Sequence, residues 1–301
     1  MNKKLMAVAV AGALAVPGVA LAQSSVTISG IFKISVDNQR YGGSARTPNS
    51  QWRTADDSSR IIFNVTEDLG GGLQAIGQVD WRPQLDAGGD AASGNNWVGL
   101  RSKSWGTLTV GRHDLHYGKQ PDEIAAKAGS LKLTAISLMD FTANGTAIAG
   151  ATRTTNVVRY DSPRWGGFAF TAAYSFNATA PEADIAAGAG VRKGNAWNLN
   201  PSYTGKNFQL GWSHWRSKVD GAAAAAAAPA ALGGAVVGQD QRSDSLYGYY
   251  TWGGFKIGMG WNKSRTSRNG VVGNDQNRTA WTIPVRYNWG KHNIYAHYTR
   301  A

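Results

Sequence analysis

From Val26 to Asp37 the chain alternates almost without error: Val26, Ile28, Phe32, Ile34 and Val36 fall on one side, and Thr27, Ser29, Lys33, Ser35 and Asp37 on the other. A period of two over that length predicts a strand with one apolar face. The pattern recurs along the chain. Ile61, Phe63 and Val65 oppose Arg60, Asn64 and Thr66; Phe168, Phe170, Ala172, Tyr174 and Phe176 share a face; Phe208, Leu210 and Trp212 oppose Gln209 and Ser213. Phe255, Ile257, Met259 and Trp261 oppose Lys256 and Asn262, and Trp281, Ile283, Val285, Tyr287 and Trp289 oppose Thr282, Arg286 and Asn288. About thirteen such strands of roughly nine to twelve residues are expected, close to the nine to eleven that a tilted strand needs to cross a bilayer.

Connections between these segments alternate in length. Short turns are expected at Leu69-Gly70-Gly71-Gly72, Ser104 to Gly106, Arg164 to Gly167, Gly205-Lys206, Gly253-Gly254 and Gly290-Lys291. Longer links span Asn38 to Ser58, Pro83 to Gly94, about 114–154, Ala178 to Lys193, Val219 to Arg242 and Thr266 to Gln276. Glycine-containing turns between alternating segments make hairpins, and short turns at one end with long loops at the other are the habit of transmembrane β-barrels. Trp81, Trp165, Trp252, Trp289 and Tyr287 stand near strand ends, where an aromatic girdle meets the membrane interface. The run Ala222 to Ala231 is an insertion tolerated in a long loop.

The N-terminus has Lys3 and Lys4, an apolar run from Leu5 to Ala20, and Ala20-Leu21-Ala22 before Gln23. This predicts a secretory signal peptide over 1–22, leaving a β domain over 23–301. No other apolar run approaches the roughly 18 to 20 residues of a membrane helix. The chain has no cysteine, which excludes disulfides and thiolate metal sites. Its formal net charge of +12 comes from dispersed Lys and Arg, so small anions fit better than nucleic acid as partners.

If the apolar faces touch lipid, alternation sends Lys33, Arg60, Arg82, Arg101, Arg159, Lys256 and Arg286 into a lumen, with fewer acids, among them Asp37, Asp80 and Asp161. A Lys or Arg on the lipid face at midplane costs roughly 2 to 4 kcal/mol, so this parity carries meaning. Arg112 shares parity with Leu108 and Val110; a bulge or twist at the end of its strand is expected to re-aim it. The long loop beyond carries Asp122, Glu123 and Asp140. Acid on the loop and base on the walls predicts a charged constriction.

Two other readings compete. His113, Asp114 and His116 suggest a barrel enzyme, although His-Asp-Leu-His lacks the spacing of a helical zinc motif. Twelve tryptophans suggest a secreted sugar-binding β-protein, although most stand on the lipid face or beside turns.

Ser59-Arg60-Ile61-Ile62-Phe63-Asn64-Val65-Thr66-Glu67-Asp68-Leu69-Gly70-Gly71-Gly72-Leu73, Trp97-Val98-Gly99-Leu100-Arg101, Gly106-Thr107-Leu108-Thr109-Val110-Gly111-Arg112 and Asn156-Val157-Val158-Arg159-Tyr160-Asp161-Ser162-Pro163 resemble, in order, the Gram-negative general porins, especially those of betaproteobacteria. The resemblance implies an all-β, sixteen-stranded antiparallel barrel in the outer membrane, assembled as a homotrimer, with the third extracellular loop folded inward. It further implies passive diffusion of small hydrophilic solutes and inorganic ions, with no bond chemistry and no cofactor. By position, Arg60, Arg82, Arg101, Arg112 and Arg159 form the basic side of the constriction and Asp122, Glu123 and Asp140 the acidic side. Weak anion selectivity is the expected consequence. The enteric members' Pro-Glu-Phe-Gly loop signature is absent, and the chain stops at Tyr298-Thr299-Arg300-Ala301 without the closing aromatic of the family. About three of the sixteen strands are thus expected to be missing, which reads as an incomplete C-terminus.

Overall fold

The computed structural model describes residues 24–40, 50–56, 59–116, 153–178, 194–219, 239–268 and 276–300. These fold as β1 (Ser25–Ile31), β2 (Ile34–Arg40), β3 (Ser50–Asp56), β4 (Arg60–Gly70), β5 (Leu73–Pro83), β6 (Asp90–Ala91), β7 (Asn96–Ser102) and β8 (Gly106–Asp114). They continue as β9 (Arg153–Asp161), β10 (Phe168–Ser175), β11 (Gly194–Thr204), β12 (Phe208–Val219), β13 (Gln239–Trp252), β14 (Phe255–Arg268), β15 (Gln276–Trp289) and β16 (His292–Arg300). Thirteen of them follow one another in a single antiparallel sheet, β1-β4-β5-β7 and then in order to β16, with β6 as a spur on β5. That number agrees with the count from alternation. Among the described residues no ladder joins β1 to β16.

Two boundaries depart from the sequence reading. The Val26 to Asp37 segment is two strands, not one. The Lys33 N–H donates to Ser59 Oγ and Ser59 Oγ–H returns a bond to the Lys33 carbonyl, so the chain breaks between β1 and β2. β2 then pairs with β3, inside the stretch expected to be loop. At the far end β13, β14 and β15 each run 14 residues, longer than a bilayer needs. Arg242 and Thr266, expected at loop edges, are strand residues.

Burial is inverted relative to a protein with an apolar core. On one face of β12 to β15 the polar residues Ser213, Ser243, Ser245, Asn262, Ser264 and Thr282 are buried, while on the other Leu210, Leu246, Ile257, Met259 and Ile283 are exposed. Bare apolar surface of this extent marks contact with lipid or a partner. Trp252, Phe255, Tyr287 and Trp289 are exposed next to the short turns, and Trp212, Leu246, Trp261 and Trp281 form a cross-strand row nearer the loops. From Trp281 to Trp289 the strand rises about 27 Å. Tilted by about 40°, it covers roughly 20 Å of height, near the roughly 25 Å of an outer-membrane apolar band.

Candidate functional site

Register assigns the charged side chains to one face. Asp80 lies opposite Ile62, Gln78 opposite Asn64 and Gln74 opposite Arg101. Arg60, Arg82 and Arg101 therefore share the polar face of the sheet. Arg159, opposite Thr109 and Ala173, belongs to it as well. Their heights differ. Arg60 adjoins Ile61, whose partner Trp81 adjoins Arg82, so these two share a level at the loop end. Arg101 sits opposite Gln74 beside the short turns and bonds its Oε1 at 3.1 Å. About 27 Å of β5 separates that level from Arg82. Lys256 and Arg286, directly opposite each other, are also near the short turns, and the Lys256 ammonium stands 3.7 Å over the Tyr249 ring. Lys33 lies in the break between β1 and β2, outside both strands. The basic residues are thus spread along the height of the polar face, and the structure does not gather Arg101, Lys256 or Arg286 with Arg82.

Two of these arginines are held by carboxylates of the wall itself. Arg82 makes a bidentate pair with buried Asp80, at 3.2 and 2.7 Å. Arg159 makes another with Asp161, at 2.8 and 2.9 Å, and reaches the Asp114 carbonyl at 3.4 Å. Thr171 donates to the same Asp161 carboxylate. Residues two apart on a strand point to the same side, so Asp-Trp-Arg and Arg-Tyr-Asp each present a matched pair. Bidentate geometry fixes the guanidinium planes.

Between these pairs β8 and β9 lose register from Gly111 to His113. Asn156 takes φ 54° and Gly111 φ 140°, conformations that side chains with a Cβ disfavour. A Cβ on Gly111 would strike the Asn96 carbonyl oxygen. The extra residue lies on β9 beside Asn156 and not on the strand of Arg112, which keeps register with Asn96 of β7; Arg112 Nε donates to the Arg153 carbonyl at 3.4 Å. Arg153, absent from the sequence-derived set, stands 4.0 Å from Asp114 and in the field of Arg82, Arg112 and Asp80. It was missed because the sequence reading places it in the loop at about 114–154, whereas β9 begins at Arg153 itself.

His113 and His116 diverge. His113 stacks on Trp97, with centroids 5.8 Å apart, and bonds Thr109 Oγ1 at 3.1 Å. His116 crosses to another wall, 2.9 Å from Ser213 Oγ on β12 and 2.8 Å from Ser243 Oγ on β13. Asn262 donates to the same Ser243 hydroxyl and to Ser245. Leu115 packs beside it with Val157, Ala173, Ala196 and Trp215. Burial, then the nearby His214, pushes the His116 imidazole down to about 3. His116 lies beyond the end of β8, so the root of the long loop is already seated against the opposite wall. Among the described residues no group of three His, Asp or Glu side chains is arranged to hold a metal.

The loop acids Asp122, Glu123 and Asp140, the leader 1–22 and the Ala222 to Ala231 run lie outside the described residues.

Comparison with known proteins adds to this geometry. The model of the Gram-negative porin family matches residues 7–301. An outer membrane porin of Bordetella pertussis is 30% identical over 202 residues, covering 61% of this chain and 50% of its own length. Outer membrane porin protein 32 of Delftia acidovorans is 29% identical over 184 residues, covering 59% and 50%. The chain spans about half the length of the curated relatives it matches. Among solved structures, the anion-selective porin from Comamonas acidovorans superposes with a TM-score of 0.71 at 19% identity, over 92% of this chain and 78% of that one. OmpF of Salmonella typhi superposes at 0.52 and 11% identity, over 92% and 90%. The barrel-enzyme and sugar-binding alternatives give way to these matches. With a family model running along almost all of its length and a sheet that turns polar residues in and apolar ones out, this chain belongs to the Gram-negative porins, proteins of the outer membrane.

Proposed function

We propose that the protein is a general diffusion porin, passing small hydrophilic solutes and inorganic ions down their gradients with weak anion preference. The carrying observation is the polar, arginine-bearing face turned away from the exposed apolar band. In this reading 1–22 is removed on export, the protein works as a homotrimer, and the loop at about 114–154 narrows the channel. Asp122, Glu123 and Asp140 then face Arg60, Arg82, Arg112 and Arg159. The seating of Leu115 and His116 on the far wall supports the inward path.

The wall pairs explain why the preference is weak. Arg82, Arg112 and Arg153 stand with Asp80 and Asp114, and Arg159 is paired with Asp161 nearer the short turns, which leaves a small excess of positive charge. A hydrated ion about 7 Å from one unit charge in water gains roughly 0.6 kcal/mol, enough for a few-fold bias without trapping the ion. Reversal potentials across a salt gradient in planar bilayers test the proposal. The expected sign is that of chloride over potassium; a cation preference, or no conductance by the refolded protein, overturns it.

A further inference from the structure

Lys256 and Arg286 face each other across β14 and β15, on the polar face that Asn262 and Thr282 share with them. Opposed residues on antiparallel strands stand about 5 Å apart at Cα, and like charges in that position destabilise a sheet. Elsewhere the wall answers its cations with carboxylates, Asp80 for Arg82 and Asp161 for Arg159. Around Lys256 and Arg286 it does not. Strands β14, β15 and β16 contain neither Asp nor Glu, and the two acids of β13, Asp240 and Asp244, lie at the loop end with the opposite strand parity.

The two cations are held differently. Among the described residues the Arg286 guanidinium makes no hydrogen bond or ion pair, and its Nε is buried without a partner. Buried donors in folded proteins are nearly always bonded, so an orphan one marks a place where a water or an ion belongs. An orphan donor on a group that always carries positive charge selects an anion. The Lys256 ammonium stands 3.7 Å over the Tyr249 ring. That ring belongs to β13, on the other side of β14 from Arg286, and the quadrupole of its face attracts the cation. Both side chains are half-buried and lie close to the short turns, within reach of water. A guanidinium offers a flat fork of donors that matches two oxygens of one anion, while an ammonium acts as a point charge. Together they suit an anion with several oxygens and two negative charges better than chloride.

We infer that Lys256 and Arg286 form a binding site for a small tetrahedral oxyanion, of the phosphate or sulfate kind, on the polar face at the short-turn end of the sheet. Arg286 donates from its fork to two of the oxygens, and Lys256 leaves the Tyr249 ring for a third. The place of this site in a channel rests on the porin reading; the binding does not. The test titrates the refolded full chain in neutral detergent with inorganic phosphate at low ionic strength, and follows binding by phosphorus NMR line broadening. Loss of one charge-assisted partner should weaken binding by about tenfold, so Arg286→Gln and Lys256→Gln should each show that factor and the double variant on the order of a hundredfold. Arg286→Lys keeps the charge without the fork and should fall between the parent and Arg286→Gln. Lys291→Gln, on the adjoining turn, should bind like the parent. In planar bilayers, phosphate should depress the parent's chloride current more from the short-turn side than from the other, and should not do so in the double variant. Equal affinity of parent and double variant, an equal loss in Lys291→Gln, or equal inhibition from the two sides overturns the site. Where the double variant does not refold, Arg286→Lys decides, and parent-like affinity overturns the site. A parent that binds phosphate at this pair yet conducts no ions sinks the porin reading and leaves the site standing.

Discussion

Asp80 with Arg82 and Asp161 with Arg159 show how much one strand position decides. Two-residue spacing puts acid and base on the same face, and the bidentate contacts hold the guanidinium groups flat against the wall. The carboxylate, not the arginine alone, then sets the local field. Asp80→Asn leaves Arg82 without its counter-charge, so the chloride over potassium permeability ratio should rise by about threefold, the bias of one unit charge at roughly 7 Å in water. Arg82→Gln should lower it by a similar factor. Reversal potentials in the same salt gradient check both. The arginines were legible in the sequence because alternation assigns their face. Their pairing is equally legible in Asp-Trp-Arg and Arg-Tyr-Asp, where a spacing of two puts acid and base on one face.

The bulge between β8 and β9 is the element on which the loop root depends. Gly111 has no room for a Cβ beside the Asn96 carbonyl, so Gly111→Ala should disturb the register that sets Arg112, His113 and His116. Its expected signature is more frequent closure events in single-channel records, with unchanged strand content by circular dichroism. Past the bulge, His116 is neutral between two serine hydroxyls. Its folded value of about 3 lies below the ordinary 6.5, so the unseated ring binds a proton more readily than the seated one. The contact is at full strength above pH 6.5 and weakens as pH falls from 6.5 toward 3. Channel noise should therefore grow on acidification, and His116→Gln, which bonds but does not titrate here, should flatten that dependence. A loop root anchored on β12 and β13, far along the chain, left no trace in the sequence. His-Asp-Leu-His looked like a metal or catalytic cluster because its members adjoin in sequence, but a bulge and the start of a loop turn them to different walls.

At the scale of the whole sheet, one face is dressed for water and the other for lipid. Met259→Lys, on the exposed band of β14, should cost roughly 2 to 4 kcal/mol of stability in bilayers, as measured by urea unfolding from vesicles. Lys263→Gln, four residues higher on the same face, should cost little, because the side chain stands beyond the tryptophan row. The formal charge of +12 divides accordingly. Part stands on the polar face of the sheet, while Arg216, Lys218, Arg242, Lys263 and Arg265 stand on the opposite face. Composition alone had assigned the basic excess to small anions in general.

Strand positions, the two faces, the short turns and the shared polar face of Arg60, Arg82, Arg101 and Arg159 followed from the sequence by itself, because a period of two is a property of the extended backbone and needs no partner strand. Height along the barrel, the Arg153 cluster, the break at Lys33 and the seating of His116 were decided by tertiary structure. Each depends on register, on a bulge or on contacts between segments far apart in the chain, and none of these is encoded in local alternation. Arg82 and Arg159, expected to face a charged loop, are held by carboxylates of their own wall, and a separate basic row stands on the other face of β12 to β14.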